Sequence, residues 1–498
     1  MSYNYSKILL LLFFSLFNIS YQSQDNSKEF SLIINKDKLK ISADDIENMR
    51  ILQDNKIYIK SQIAIPNQNL KLYLKFSEYI TYITDGNYKK GDSSSYEFIR
   101  TKNDGKTPEF TPLNFQTDNL KSGYESKEII KLGENIIYDF NFILADKLNN
   151  NYEIDDSIVG LNLPEINIRP VLMNTNIFEQ LKKNNLIYKR IFSIFFNTKV
   201  CEGNNNENNN EEGQIIFGKL PHELYDNKKY DELLKKYNIN EKTFNWINAE
   251  VDQYHIKWKL KLDDIICVNE HTSDLIAELV IEQTFFTGTQ EFKKIMQKYF
   301  FDGFISKKLC KEEKFFNYKD NYNYYFYNCD NSIKSYFDKY NTNILEFKSK
   351  DLNTIFSFQL KELFLEYNNR LYFGIIFDEY QIYGWKLGRL FFEKYPLIFS
   401  IDNKAIGYYN QNENIINVNT NSNKNTMIVL IVLVVVLLII ILIGFRKYNV
   451  LKSLIPRKLM ANELYDQYTY SHVEDNKKEI TTEMTSKINS NSVSSLGY

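Results

Sequence analysis

Trp385-Lys386-Leu387-Gly388-Arg389-Leu390-Phe391-Phe392-Glu393-Lys394-Tyr395, followed by Ile398-Phe399-Ser400-Ile401-Asp402-Asn403 and Ile406-Gly407-Tyr408, is the most specific stretch of this 498-residue chain. The residues beyond it fix its place in the molecule. Residues 411–426 are polar and rich in Asn, the composition of a solvated stalk. Residues 427–445 are apolar and carry no charge. A helix of that length, at about 1.5 Å per residue, spans the hydrocarbon core of a bilayer. Arg446, Lys447, Lys452, Arg457 and Lys458 come directly after it, against Lys424 alone on the near side. That asymmetry predicts a cytoplasmic tail over 446–498. At the other end, Lys7 precedes an apolar run over 8–19, too short for a span and suited to a secretory signal. Residues 1–24 are therefore read as a signal peptide. The expected topology is single-pass type I, in the secretory pathway or at the cell surface, with the ectodomain extracellular or lumenal.

An ectodomain over 25–410 is too long for one typical core and predicts two lobes. Lysine and arginine number 61 against 63 acidic residues, a formal charge of −2, so no nucleic-acid partner is expected. The ectodomain is expected to be monomeric. Cys201, Cys267, Cys310 and Cys329 all fall in it. An even count in an oxidising compartment predicts two disulfides, with three pairings open. Cys310–Cys329 is the favoured one, with Cys201–Cys267 as the remainder. No CxxC is present and His222, His255, His271 and His472 are scattered, so no metal and no cofactor are expected.

The ectodomain reads as mostly β. Ile57-Tyr58-Ile59-Lys60-Ser61-Gln62-Ile63-Ala64-Ile65 alternates apolar and polar, as a half-buried strand does. Pro66-Asn67-Gln68-Asn69 is a turn, residues 70–76 alternate again, and residues 79–84 are β-branched and aromatic up to Asp85-Gly86. Phe30-Ser31-Leu32-Ile33-Ile34 reads as a first strand. Two intervals carry helical spacing instead: 176–183, and 291–300 with Phe292, Ile295, Met296, Tyr299 and Phe300 on one side. The Asn/Glu tract over 203–213 sits between strand patterns 191–196 and 214–217, as a hairpin insertion.

The opening stretch resembles the closing segment of pepsin-like aspartic proteases (family A1). There the pattern is Trp-x-Leu-Gly, a one-turn helix ending in two aromatics, and a hairpin Val-Phe-Asp…Ile-Gly-Phe; Ser400 departs from its Asp. Other segments fall into the same order. Residues 63–72 resemble the family's first hairpin. Phe115-Gln116-Thr117-Asp118 resembles its flap, with Phe115 at the flap tyrosine. Asp156-Ser157-Ile158-Val159-Gly160-Leu161 resembles Asp-Gly-Ile-Leu-Gly-Leu, and Gly213-Gln214-Ile215-Ile216-Phe217-Gly218 resembles Gly-x-Leu-x-Phe-Gly. Trp246 and Tyr254-His255-Ile256-Lys257-Trp258 resemble the Trp-x-Pro-Val and Tyr-Trp strands. The resemblance implies a bilobal pepsin-like double β-barrel, with lobes over 25–200 and 201–410, here with one C-terminal transmembrane helix.

It also implies two Asp-Thr-Gly loops, whose carboxylates share one proton and act as base toward water and acid toward the scissile carbonyl. Counting from Pro66 puts the first Asp at Lys75, and counting back from Thr287-Gly288 puts the second at Val280. Phe76 and Ile281 replace the threonines; Ser77 and Glu282 replace the glycines. The expectation is a proteolytically inactive domain with a binding, receptor or sorting role. Its cleft would hold an extended peptide or protein ligand, with candidate contacts Lys75, Ser77, Phe115, Thr117, Val280 and Thr284. Lys75 could favour an acidic group there, or pair with Glu78 or Glu282. Two alternatives stay open: a membrane-anchored aspartic endopeptidase with a displaced dyad (Asp85, Asp274, or Glu78 with Glu282), and a structural surface protein.

Overall fold

The computed structural model describes residues 29–410, except 38–41, 55, 87, 100–112, 115–119, 149–155, 165–169, 197–210, 225–226, 251–256, 269, 273–275, 318–321, 341–342, 353 and 380–383. The expected signal peptide, stalk, transmembrane helix and tail lie outside the described residues, as do Phe115, Thr117 and Cys201. Among the described residues no helix is long and apolar enough to cross a membrane.

The fold is mostly β. Alternation drives the first hairpin. In strand Gln68–Lys75 the residues Leu70, Leu72 and Leu74 are buried on one face. Its partner Ile57–Ile63 runs antiparallel, with Ile63 facing Gln68 across the turn. Strand Phe30–Lys36 lies between Ile57–Ile63 and Glu211–Phe217, antiparallel to both. Strand Ile191–Phe196 pairs antiparallel with Glu211–Phe217, and most of the Asn/Glu tract between them lies outside the described residues.

The C-terminal residues return to this layer. Strand Trp385–Leu387 leads into helix Arg389–Lys394, then strands Leu397–Ser400 and Ala405–Tyr409. The last two form a hairpin, and Leu397–Ser400 pairs with Ile191–Phe196. Early and late segments thus share one 14-stranded sheet among the described residues. A nine-stranded and a four-stranded sheet are built from residues after 258. Phe76, Phe192, Phe392 and Phe399 meet where the layers join, with Trp258 against Phe192 and Phe399.

Helices are short. Asn176 caps helix Ile177–Lys183 by accepting from the Phe178 amide at 2.9 Å, and its amide group donates to the Tyr79 carbonyl at 2.6 Å. Thr289 caps helix Gln290–Met296, which continues as a π-helical turn Gln297–Phe301 and a further helix Asp302–Ser306. Helix Asp45–Gln53 has no counterpart in the sequence pattern; Asp44 caps it and Asn48, Met49, Leu52 and Gln53 form its buried face.

Two expectations are corrected. The strand expected over 79–84 is only Tyr82–Ile83. The Glu78 and Ile80 carbonyls accept from the amides of Asn162 and Gly160, at and just beyond the end of strand Ser157–Gly160, and residues 79–81 belong to no strand. Cys310–Cys329 is bridged, as a facing pair in adjacent strands. Closing a loop with a sequence separation of 19 is worth about 3 kcal/mol in the chain-entropy account. Of the second expected bridge, Cys267 is a free thiol among the described residues, its pKa pushed up by burial, and Cys201 lies outside them.

Candidate functional site

Two loops of the same design meet at the centre of the cleft. In the first, strand Gln68–Lys75 runs parallel to Ser157–Gly160, with Leu74 opposite Val159 and Lys75 opposite Gly160. The chain then loops round and returns on the other side of Ser157–Gly160, where Tyr82 faces Ile158. In the second, Ile276–Leu279 runs parallel to Trp385–Leu387, with Leu279 opposite Leu387. The chain returns as Phe286–Gly288, where Thr287 faces Lys386. Superposing the two registers makes Lys75 the equivalent of Val280, Ser77 of Glu282, and Tyr82 of Thr287, each pair 205 residues apart.

The crossing needs glycine in both halves. A Cβ on Gly160 would sit 2.5 Å from the Glu78 carbonyl oxygen, and one on Gly388 would sit 2.3 Å from that of Phe285. No side chain fits where one backbone passes over the other at that distance. Both glycines are present, so the crossing geometry is retained although the loop residues differ.

The loop residues divide by direction. Phe76 points into the core, edge-on to Phe399 at 4.9 Å and to Phe392 at 5.8 Å. Its equivalent Ile281 is fully buried. Lys75 and Val280 point into the cleft. The Ser77 amide donates to Glu282 Oε1 at 2.6 Å, a bond between equivalent positions that ties one loop to the other.

Lys75, Ser77, Val280 and Glu282 line one cavity of about 190 Å³. Its walls are charged. Lys56 Nζ lies 2.8 Å from Asp156 Oδ2 on the side of the first loop. Lys257 Nζ lies 3.0 Å from Glu278 Oε1 on the side of the second. Lys386 and Asp54 complete the set, so lysines and carboxylates balance, four and four. Lys75, expected to favour an acidic group, is thus one of eight charged side chains in the lining. Thr284, a candidate cleft contact, is fully buried and takes a hydrogen bond from the Arg389 guanidinium; it does not line the cavity.

Helix Asp45–Gln53 supports the second loop from below. Gln53 is buried, its side-chain oxygen accepts from the Phe285 amide at 3.1 Å, and its carbonyl accepts from the Thr284 amide at 3.3 Å. At the helix start, Asp45 Oδ1 accepts from the Tyr372 hydroxyl at 3.0 Å. On the opposite wall the Tyr73 hydroxyl donates to Asp37 at 3.1 Å; burial first, and the Asp37 charge after it, push the Tyr73 pKa up.

The family described as eukaryotic aspartyl protease matches residues 65–411. The chain belongs to the eukaryotic aspartyl protease family. No curated protein matches it. Within an aspartyl protease domain, the paired loops are the place where the two halves of the molecule present their central residues to a ligand. In this chain Lys75 faces the cavity from one loop and Val280 from the other.

The resemblance located Lys75, Ser77, Val280 and Glu282, which the fold brings together. It missed Lys56, Asp156, Lys257, Glu278 and Lys386. One signal was available for Glu278: it stands two residues before Val280, so a strand places both on one face. Nothing local to 45–57 or 257 pointed to the cleft.

Proposed function

We propose that this aspartyl protease family member is catalytically inactive and that its cleft binds an extended peptide or protein ligand. The single observation behind the reading is the equivalence of Lys75 and Val280 in the two loop registers. The pepsin-like mechanism needs a carboxylate at each; this chain carries a protonatable amine and a hydrocarbon. A lysine ammonium is no base toward water while protonated, and valine does not titrate. The changes beside them support the same reading, since Phe76 and Ile281 are committed to the core and Glu282 to the Ser77 amide.

A displaced dyad finds little support. Glu78 is buried outside the cavity lining that Glu282 belongs to, Asp85 lines a different cavity, and Asp156 and Glu278 are held by lysines. Asp274 lies outside the described residues. The apolar runs at 8–19 and 427–445 and the basic residues after the second support a single-pass type I protein whose ligand-binding part faces the lumen or the exterior.

The test is proteolysis itself. The purified full-length protein is incubated with a diverse peptide library from acid to neutral pH, and products are read by mass spectrometry. The expected result is no cleavage above a buffer control. Cleavage suppressed by a statine-type inhibitor would overturn the proposal and restore an endopeptidase.

A further inference from the structure

The charges lining the cavity are unevenly satisfied. Asp156 is bound by Lys56 and Glu278 by Lys257, while Glu282 accepts the Ser77 amide through Oε1 alone and its Oε2 is buried without a hydrogen-bond partner among the described residues. Lys386 is placed differently. Trp385 and Leu387 on either side of it are buried, so strand alternation turns the Lys386 side chain to the opposite face, into the cavity. Its neighbours in register are Glu278, whose carboxylate is already bonded to Lys257, and Thr287, which carries no charge. Among the described residues no carboxylate lies within ion-pair distance of Lys386. The equivalent residue in the first loop system is Ile158, which is fully buried, so the ammonium is a feature of one wall only.

An ammonium held on a half-enclosed wall without a fixed counter-ion favours an anionic ligand group, and the reduced dielectric of the cleft strengthens that attraction over its value in bulk water. Lys75, at the tip of the first loop, adds a second positive charge to the same cavity. We infer that the cleft selects peptides with an acidic side chain, whose carboxylate is bound by Lys386 on the second wall with Lys75 facing it. This rests on the peptide-binding reading above and adds to it the ligand's chemical class and the residue that reads it.

The experiment uses the full-length protein and fluorescent extended peptides that are identical except for one central residue, Glu, Gln or Lys, with binding followed by anisotropy at low and high salt. The Glu peptide is expected to bind about tenfold more tightly than the Gln peptide, with the gap narrowing as salt screens the pair. Lys386→Met, which keeps the aliphatic stem, should abolish the gap by weakening Glu-peptide binding; Lys386→Arg should keep it. Thermal unfolding of each variant monitors the fold. Equal binding of Glu and Gln peptides to the wild type, or a gap that survives Lys386→Met, overturns the inference and leaves peptide binding standing. Failure of all three peptides to bind removes both together.

Discussion

Glu282 holds the two loops together in a way that a glycine at its position could not. Its carboxylate oxygen takes the Ser77 amide at 2.6 Å, and hydrogen bonds to an ionised acceptor are roughly twice as strong as neutral ones. Glu282→Ala leaves a half-buried N–H without its acceptor, which costs about 1–3 kcal/mol. Glu282→Gln keeps a carbonyl oxygen at the same reach and should recover most of that loss. Chemical denaturation of both variants checks the order. If Glu282→Ala unfolds at the wild-type midpoint, the bond contributes nothing and the loops are held by packing alone. At this scale the sequence pointed to Lys75, Ser77, Val280 and Glu282 but not to the contacts they make. Ser77 and Glu282 are 205 residues apart, and no local pattern joins them. Lys75 read as a lone positive charge because its cavity neighbours, Lys56, Asp156, Glu278 and Lys386, come from four other segments.

Elements were legible where one face is buried and apolar. Strands Ile57–Ile63 and Gln68–Lys75 and helix Ile177–Lys183 follow their hydrophobic spacing closely. Helix Asp45–Gln53 was not legible, because Asn48 and Gln53 occupy buried positions that the apolar test leaves out. The short turn Pro221–Leu224 carries a consequence for acid conditions. His222 lies against the Phe244 ring, with 5.0 Å between ring centres, and its Nδ1 is 3.0 Å from the Tyr409 hydroxyl. Burial lowers its pKa below the usual 6.5, and the nearby Glu223 and Glu241 carboxylates only partly oppose that. A histidine whose folded pKa is depressed stabilises the fold above its unfolded pKa, and the contribution is lost as pH falls through the folded value. The wild-type Tm should therefore drop on going from about pH 7 to about pH 5, and His222→Gln should flatten that part of the curve. Superimposable Tm profiles for the two proteins would remove His222 as the cause.

The whole molecule is less divisible than its length suggests. A boundary between 200 and 201 is what the family resemblance implies, yet the strands on either side of it complete each other. Phe30–Lys36 needs Glu211–Phe217, and Ile191–Phe196 lies between Glu211–Phe217 and Leu397–Ser400. Trp258, fully buried, donates its indole N–H to the Leu161 carbonyl at 2.9 Å. Arg190 joins helix Ile177–Lys183 to the final hairpin through Glu179 and Asp402. Gln53 caps the amides of Thr284 and Phe285. Cutting at 200 would expose apolar strand edges on both pieces and remove ladder partners that neither can replace, the condition under which strands pair with other chains. Such pairings between distant residues give no signal in a sequence window, because their register is set only once both ends of the chain are in place. Fragments 25–200 and 201–410, produced separately, should each lack a cooperative thermal transition and associate with themselves, while the two produced together should recover one transition. A sharp, reversible transition in either fragment alone would show that the shared sheet is a contact between two independent lobes, not the common core that these pairings imply.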